Sequence, residues 1–258
     1  MNSEFDPYDS LVPIFIDMEI PRRLEQVATG VFVEIEQQPF LLTAAHVTDT
    51  SANGELLAPT SEGLSPIEGY VSFVDLPPGM SRANDVIDVA YYRLSLRFAD
   101  QLCHHFIPMP ANRREIVQTA LELGVCSASG YPITKAKKNG SVRSSEVFSF
   151  RGVAASEEMY KKLSLSPTMN IVIRFHKDRA VRPEDGKRFP TPSLRGISGG
   201  AIFAWPHGAE LSSDWSLPRL VGLVHSYRER EGLVIGTTLL PILTAISLGQ
   251  MKGFGGVR

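Results

Sequence analysis

A serine set among glycines, Gly196-Ile197-Ser198-Gly199-Gly200, leads directly into the apolar run Ala201-Ile202-Phe203. Glycine on both sides lets the backbone take conformations that a side chain forbids, and leaves room for another molecule to approach the main chain. An exposed nucleophile beside a pair of N–H donors needs both properties. Alone, the pattern equally describes a tight turn before a strand. Two further residues have suggestive settings upstream. His46 ends Leu42-Thr43-Ala44-Ala45-His46, just after an apolar strand pattern. Asp88 stands immediately before Val89-Ala90-Tyr91-Tyr92-Arg93-Leu94, with Asp85 three residues earlier as a rival acid.

The elements that must position these residues read mostly as short strands. Gly30–Ile35 and Phe40–Val47, with the polar connection Glu36-Gln37-Gln38-Pro39, form a β-hairpin pattern. Residues 50–68 read as a Gly/Ser/Pro-rich loop, and Tyr70–Val74 as a further strand. Residues 96–118 lose the pattern and read as a link between two halves. Beyond it lie strand patterns at 142–153, 171–175, 201–205, 219–225 and 233–237. The helices expected are Ser156–Leu163 and Leu240–Leu248. Residues 1–25 mix prolines, acids and short apolar pieces, which suggests an arm laid over the domain with at most an edge strand. Many short strands and Gly/Pro punctuation indicate an all-β sandwich or barrel pair. The expected division is an arm over 1–28, a first half over 29–110 and a second over 111–258.

Composition narrows the function classes. The chain has 258 residues, is 43% hydrophobic and carries a net charge of −2. That is an ordinary globular balance, without the basic excess that attracts nucleic acid or anionic membrane. From the acidic start Met1–Asp6 no secretory signal is expected, and no apolar run is long enough to span a bilayer. The two cysteines, Cys103 and Cys126, are not a disulfide framework. A cytoplasmic protein is expected, with no metal or organic cofactor. Lys135-Ala136-Lys137-Lys138 reads as a solvated turn. His104, His105, His176 and His207 read as structural or solvated histidines.

The order His46, Asp88, Ser198, with Thr-Ala-Ala-His, Asp-Val-Ala and Gly-X-Ser-Gly-Gly around them, resembles the chymotrypsin-like (trypsin-fold) serine peptidases from about Gly30 to Leu248. The resemblance implies two six-stranded antiparallel barrels with the site in the cleft between them, His46 and Asp88 on the first and Ser198 on the second. It implies a Ser-His-Asp triad: Ser198 attacks, His46 moves the proton, and Asp88 orients the imidazole and stabilises its charged form. The N–H groups of Gly196 and Ser198 would make the oxyanion hole. Family members that are secreted carry an aspartate before the nucleophile, which pairs with a new N-terminus after activation. Here that residue is Ile197, so a site held by packing and no activation of that kind are expected.

For the substrate pocket the resemblance implies Pro192 and Ser193 at the base, Val224, His225 and Ser226 on one wall, and Gly232 and Val234 on the other. Pro192 carries no charge, so a strict Arg or Lys preference is not expected. His225 faces Asp88, faces the pocket, or is a structural strand histidine, since one residue of register flips a strand's side chains. The substrate would be a peptide or protein. Two other readings compete. An α/β-hydrolase esterase would need a helix after the serine, where this chain has a strand pattern. A catalytically silent module of the same fold would bind peptide or protein partners without cutting them.

Overall fold

The computed structural model describes residues 5–18, 23–73, 76, 78–135, 137–139, 142–175 and 191–247. In the first half the chain runs through β1 (Leu11–Met18), β2 (Arg23–Ile35), β3 (Gln38–Thr43), the short helix α1 (Ala45–Asp49), β4 (Gly54–Thr60), β5 (Gly63–Pro66), β6 (Gly69–Phe73), β7 (Ala90–Leu94) and α2 (Leu96–Leu102). The second half holds β8 (Val125–Gly130), β9 (Lys137–Asn139), β10 (Val142–Ser144), β11 (Phe148–Ala154), α3 (Glu157–Leu163), β12 (Asn170–Arg174), β13 (Ala201–Ala204), β14 (Arg219–Arg228), β15 (Leu233–Thr238) and α4 (Leu239–Ser247).

Turn chemistry sets the β2–β3 hairpin. Glu36 and Gln37 both take positive φ, 50° and 65°, the two-residue turn whose twist suits a hairpin. Gln38 and Pro39, read from sequence as turn, begin β3 instead. The seven-stranded first sheet has the order β5-β4-β1-β2-β3-β7-β6. Its edge strands β5 and β6 are joined only through Ile67 and Glu68. Three Cα steps span at most about 11 Å, so the sheet must curl until its edges meet. It does so without a ladder between them, where a six-stranded closed barrel was expected. The second half does close, in the order β11-β12-β15-β14-β13-β8. The chymotrypsin-like architecture thus stands, with an open half-barrel and a closed six-stranded barrel.

Four sequence expectations need correction. The supposed arm supplies β1, which lies inside the first sheet between β4 and β2. Leu11 to Ile16 are all buried, because both faces of this strand are covered. The Gly/Ser/Pro-rich stretch 50–68 contains the paired strands β4 and β5. Residues 96–102 form α2, capped by the Ser95 hydroxyl on the Phe98 N–H at 3.1 Å, and its Phe98, Ala99 and Leu102 join the first core. The basic Lys137 and Lys138 lie on β9, paired with β10, rather than in a turn; Ala136 is outside the described residues.

Alternation along β2 and β3 joins the two halves. Phe32 and Leu41 point into the first sheet's core. Val31, Val33, Phe40 and Leu42 point the other way, into an apolar layer with Phe203, Leu220 and Leu223 of the second barrel and Leu239 and Ile242 of α4. Side chains on a strand alternate in direction, so these two strands serve two cores, and the segments Val31–Val33 and Phe40–Leu42 are apolar throughout. That layer presses the ends of β3 and β13 together, and the site lies where they meet.

Candidate active site

Backbone and side chain of His46 are gripped by one carboxylate. Asp88 Oδ2 lies 2.7 Å from His46 Nδ1, and Asp88 Oδ1 accepts the His46 main-chain N–H at 2.9 Å. The Ala45 N–H adds a 3.3 Å bond to the Asp88 carbonyl. The Asp88 side chain is 5% exposed and that of His46 36%, so the acid is walled in while the imidazole reaches the cleft. With Nδ1–H donating to the carboxylate, His46 Nε2 is the free acceptor. Burial by itself would raise the Asp88 carboxyl, but its hydrogen bonds to His46 and the nearby His46 and His225 charges hold it below the usual carboxylate value. Asp88 also has φ of 29°. This is a left-handed conformation that aspartate tolerates better than most residues and that costs energy outside a constrained loop.

The rival acid has a different task. Asp85 pairs with Arg82 at 2.7 Å and accepts the Ile87 N–H at 3.0 Å. Arg82 reaches on to Asp49, at the end of the helix that carries His46, at 2.9 Å. The second barrel holds the same loop: Asn170 donates to the Val86 carbonyl and Thr237 to the Ile87 carbonyl. Asn170 and Thr237 are buried. None of these partners was legible in the sequence, since Thr237 and Ile87 lie 150 residues apart.

The serine turn is ordered by its peptide units. The Arg195 carbonyl accepts from Ile133 N–H, the Gly196 carbonyl from Thr29 Oγ1, the Ile197 carbonyl from Gly200 N–H and the Ser198 carbonyl from Thr29 N–H, at 2.8 to 2.9 Å. In a trans peptide the C=O and N–H point opposite ways. Anchoring the Arg195 and Ile197 carbonyls therefore turns the N–H groups of Gly196 and Ser198 outward. Among the described residues neither N–H has an acceptor, whereas those of Ile197 and Gly199 bond to the Leu194 and Val224 carbonyls. Gly196 needs its positive φ of 93°, and a Cβ there would meet the Tyr131 carbonyl oxygen at 2.7 Å. Gly199 packs so tightly that a Cβ would lie 2.1 Å from Thr43 Oγ1. Through that contact the turn abuts the end of β3 that runs into α1 and His46. Ser198 is half-buried; among the described residues no hydrogen bond joins its hydroxyl to His46. Ile197 is 1% exposed in the second-barrel core, so packing holds the turn from below, as its apolar character suggested.

Of the pocket residues, Val224 and Val234 direct their side chains into the barrel core. Val224 meets the turn through its main chain, in two bonds of 2.7 and 2.8 Å with Gly199 and Gly200. Ser193 is exposed, Pro192 half-buried, and Gly232 is buried with its carbonyl taken by Phe175 N–H. His225 sits where β14 slips register against β15. A bulge of this kind re-aims a side chain. His225 is buried, with Nδ1 2.9 Å from Ser226 Oγ. Burial pushes its pKa down to about 4, opposed by the Asp88 charge and reinforced by His46. Burial thus keeps the ring neutral, with the Asp88 and His46 charges near enough to act on it. A cavity of about 430 Å³ elsewhere, lined by Gln37, Phe40, Tyr91 and Ile246 among others, includes none of these residues.

The other described histidines and the cysteines lie apart from the site. His105 contacts the Thr60 carbonyl at 3.1 Å, His207 lies exposed 3.7 Å from Glu210, and His176 is outside the described residues. Cys103 and Cys126 are both free thiols. Among the described residues no group of three His, Cys, Asp or Glu side chains could hold a metal ion, and no helix is long and apolar enough to cross a membrane.

An open half-barrel and a closed barrel with a histidine–aspartate pair and a glycine-flanked serine turn at their junction define the chymotrypsin-like protease fold. The VesB protease of Vibrio cholerae superposes with a TM-score of 0.53 at 15% identity, over 93% of this chain and 64% of its own length. This chain thus spans less than two thirds of that structure. A chain from a Sesbania mosaic virus structure, reported for aromatic interactions that drive coupled folding and binding of the disordered VPg protein, superposes at 0.51 and 15% identity, over 92% of this chain and 90% of its own. No protein-family model and no curated protein sequence matches the chain.

Proposed function

We propose that this chain is a serine endopeptidase. The observation that carries the reading is the two-point grip of Asp88 on His46, which leaves Nε2 as a base at the junction where the serine turn presents two unpaired N–H groups. Ser198 Oγ attacks the peptide carbonyl while His46 Nε2 takes its proton, so the hydroxyl need not ionise in advance. The Gly196 and Ser198 N–H groups receive the developing oxyanion. Such donors gain strength by being oriented before the reaction starts. His46 then returns the proton to the leaving amine, giving an acyl-enzyme and a free amino terminus. Water, deprotonated by the same base, releases the acid product. Asp88 keeps the proton of His46 on Nδ1 and stabilises the imidazolium without taking the proton itself.

Peptides or proteins are the substrates on this reading. Pro192 and Ser193 would form the pocket base, with His225, Ser226 and Gly232 around it and Val224 and Val234 contributing main chain, their side chains being in the core. The absence of charge at Pro192 predicts no strict preference for Arg or Lys. A fluorophosphonate probe tests the assignment. Covalent labelling of the wild type, and none of Ser198→Ala, is expected. A wild type that stays unlabelled from pH 6 to 9 would replace this reading with a binding module of the same fold.

A further inference from the structure

Thr29 is buried on β2 in the first sheet, yet most of its polar contacts lie in the second half. Its N–H donates to the Ser198 carbonyl and its hydroxyl to the Gly196 carbonyl, both at 2.9 Å. The hydroxyl also accepts the Tyr131 N–H at 2.8 Å. A hydroxyl has one proton to give. With Tyr131 occupying an acceptor position, that proton is directed at Gly196. The Thr29 carbonyl in turn accepts the Thr43 hydroxyl at 2.9 Å, which links the same residue to the strand leading to His46. Gln26, three residues earlier on β2, donates to the Tyr131 carbonyl at 2.6 Å.

From this geometry we infer that Thr29 is a positioning residue for the serine turn, a neutral latch reaching across from the opposite half. It rests on the peptidase reading for its catalytic consequence, not for its structural one. The carbonyls it holds, Gly196 and Ser198, bracket the turn at both ends of Ile197. The peptide that carries the Ser198 N–H lies between the two peptides Thr29 holds, and the one that carries the Gly196 N–H adjoins the first of them, so losing the Thr29 bonds frees the flanking peptides to rotate and to carry the outward donors with them. A charged anchor is not needed: the residue before the serine is the buried, uncharged Ile197, and no new amino terminus has to be made. The turn is therefore set in its donor-out form whenever the two halves are docked.

Thr29→Val keeps the shape and removes the hydroxyl. Against a peptide substrate it should lower kcat about 10- to 100-fold with KM changed less than about threefold, within the cost of losing one oxyanion donor. Affinity for a peptidyl boronate, which mimics the tetrahedral state, should fall in parallel. Thr29→Ser should restore kcat to within about fivefold of wild type. If the valine variant does not fold, Thr29→Cys, similar in size with a weaker donor, takes its place with the same expectation. Equal kcat in the variant and wild type, or a serine variant as slow as the valine one, overturns the inference. Amide hydrogen exchange reads the latch without any turnover. Ile197 and Gly199 protons should exchange at least about tenfold faster in Thr29→Val than in wild type or Thr29→Ser, even if the protein labels with no probe. Unchanged exchange sinks the latch and leaves the peptidase reading untouched, whereas absent labelling with faster exchange does the reverse.

Discussion

The acid–histidine loop and the serine turn face each other across the junction, and each is fastened by the other half. The loop at Val86–Asp88 is held by Asn170 and Thr237 of the second barrel. The turn at Gly196–Ser198 is held by Thr29 of the first sheet. The means differ. Around Asp88 the fastening relies on charge and side chains: Arg82 bridges Asp85 and Asp49, and a buried carboxylate grips His46. Around Ser198 it relies on peptide dipoles and on glycines that leave space for close approach. On the proposed function the difference has a reason: a base that binds and releases a proton needs a fixed counter-charge, and a site that receives a negative oxygen needs donors with no competing acceptor.

That contrast can be broken from either side. Ser198→Ala should abolish covalent labelling and lower peptide turnover by about 10⁶, as measured by active-site titration and initial rates. Asp88→Asn should lower kcat by about 10⁴, because an amide would stabilise the wrong imidazole tautomer; near-normal turnover would remove Asp88 from the mechanism. Arg82→Met leaves Asp85, only 6% exposed in its side chain, without its cation. A loss of about 3 kcal/mol in urea unfolding is expected, with kcat falling more than KM rises because the loop before Asp88 loosens. On the serine side no charge is involved, so salt should leave the Thr29→Val defect unchanged while altering that of Arg82→Met.

The smallest effect concerns pH. His225 has a folded pKa near 4, against about 6.5 when unfolded. Between those values the unfolded chain binds a proton that the folded one refuses. Stability is therefore complete above pH 6.5 and falls as pH drops toward 4, by at most about 1.4 kcal/mol per unit. His225→Gln should flatten that dependence in urea melts at pH 7.0 and 5.0. An unchanged slope would show that His225 is not held neutral in the fold.

The candidate site residues stood out in the sequence because each sits in a local pattern: a histidine after a strand, an aspartate before one, a serine among glycines. The residues that hold them did not. Thr29 and Gly196 lie 167 positions apart, and no local spacing marks a threonine on an apolar strand as a partner for a distant turn. The fold shows the same division. β2 and β3 were legible as a hairpin, while β1 looked like an arm because burial on both faces erases alternation. The stretch 50–68 looked like a loop because Gly54, Gly63 and Pro66 sit at the ends of β4 and β5. α2 was missed for a different reason: seven residues give too few turns for a helical period to declare itself.

The bond from Thr237 to the Ile87 carbonyl has a consequence for synthesis. Chains emerge from the ribosome amino end first, so the Asp88 loop is made long before the strand that secures it. Until β15 has been translated and paired, the histidine and aspartate lack one of their clamps and the serine turn has no finished barrel beneath it. On the proposed function, a nascent or truncated chain would be harmless to its neighbours, and proteolytic activity would arrive only in the last stage of folding.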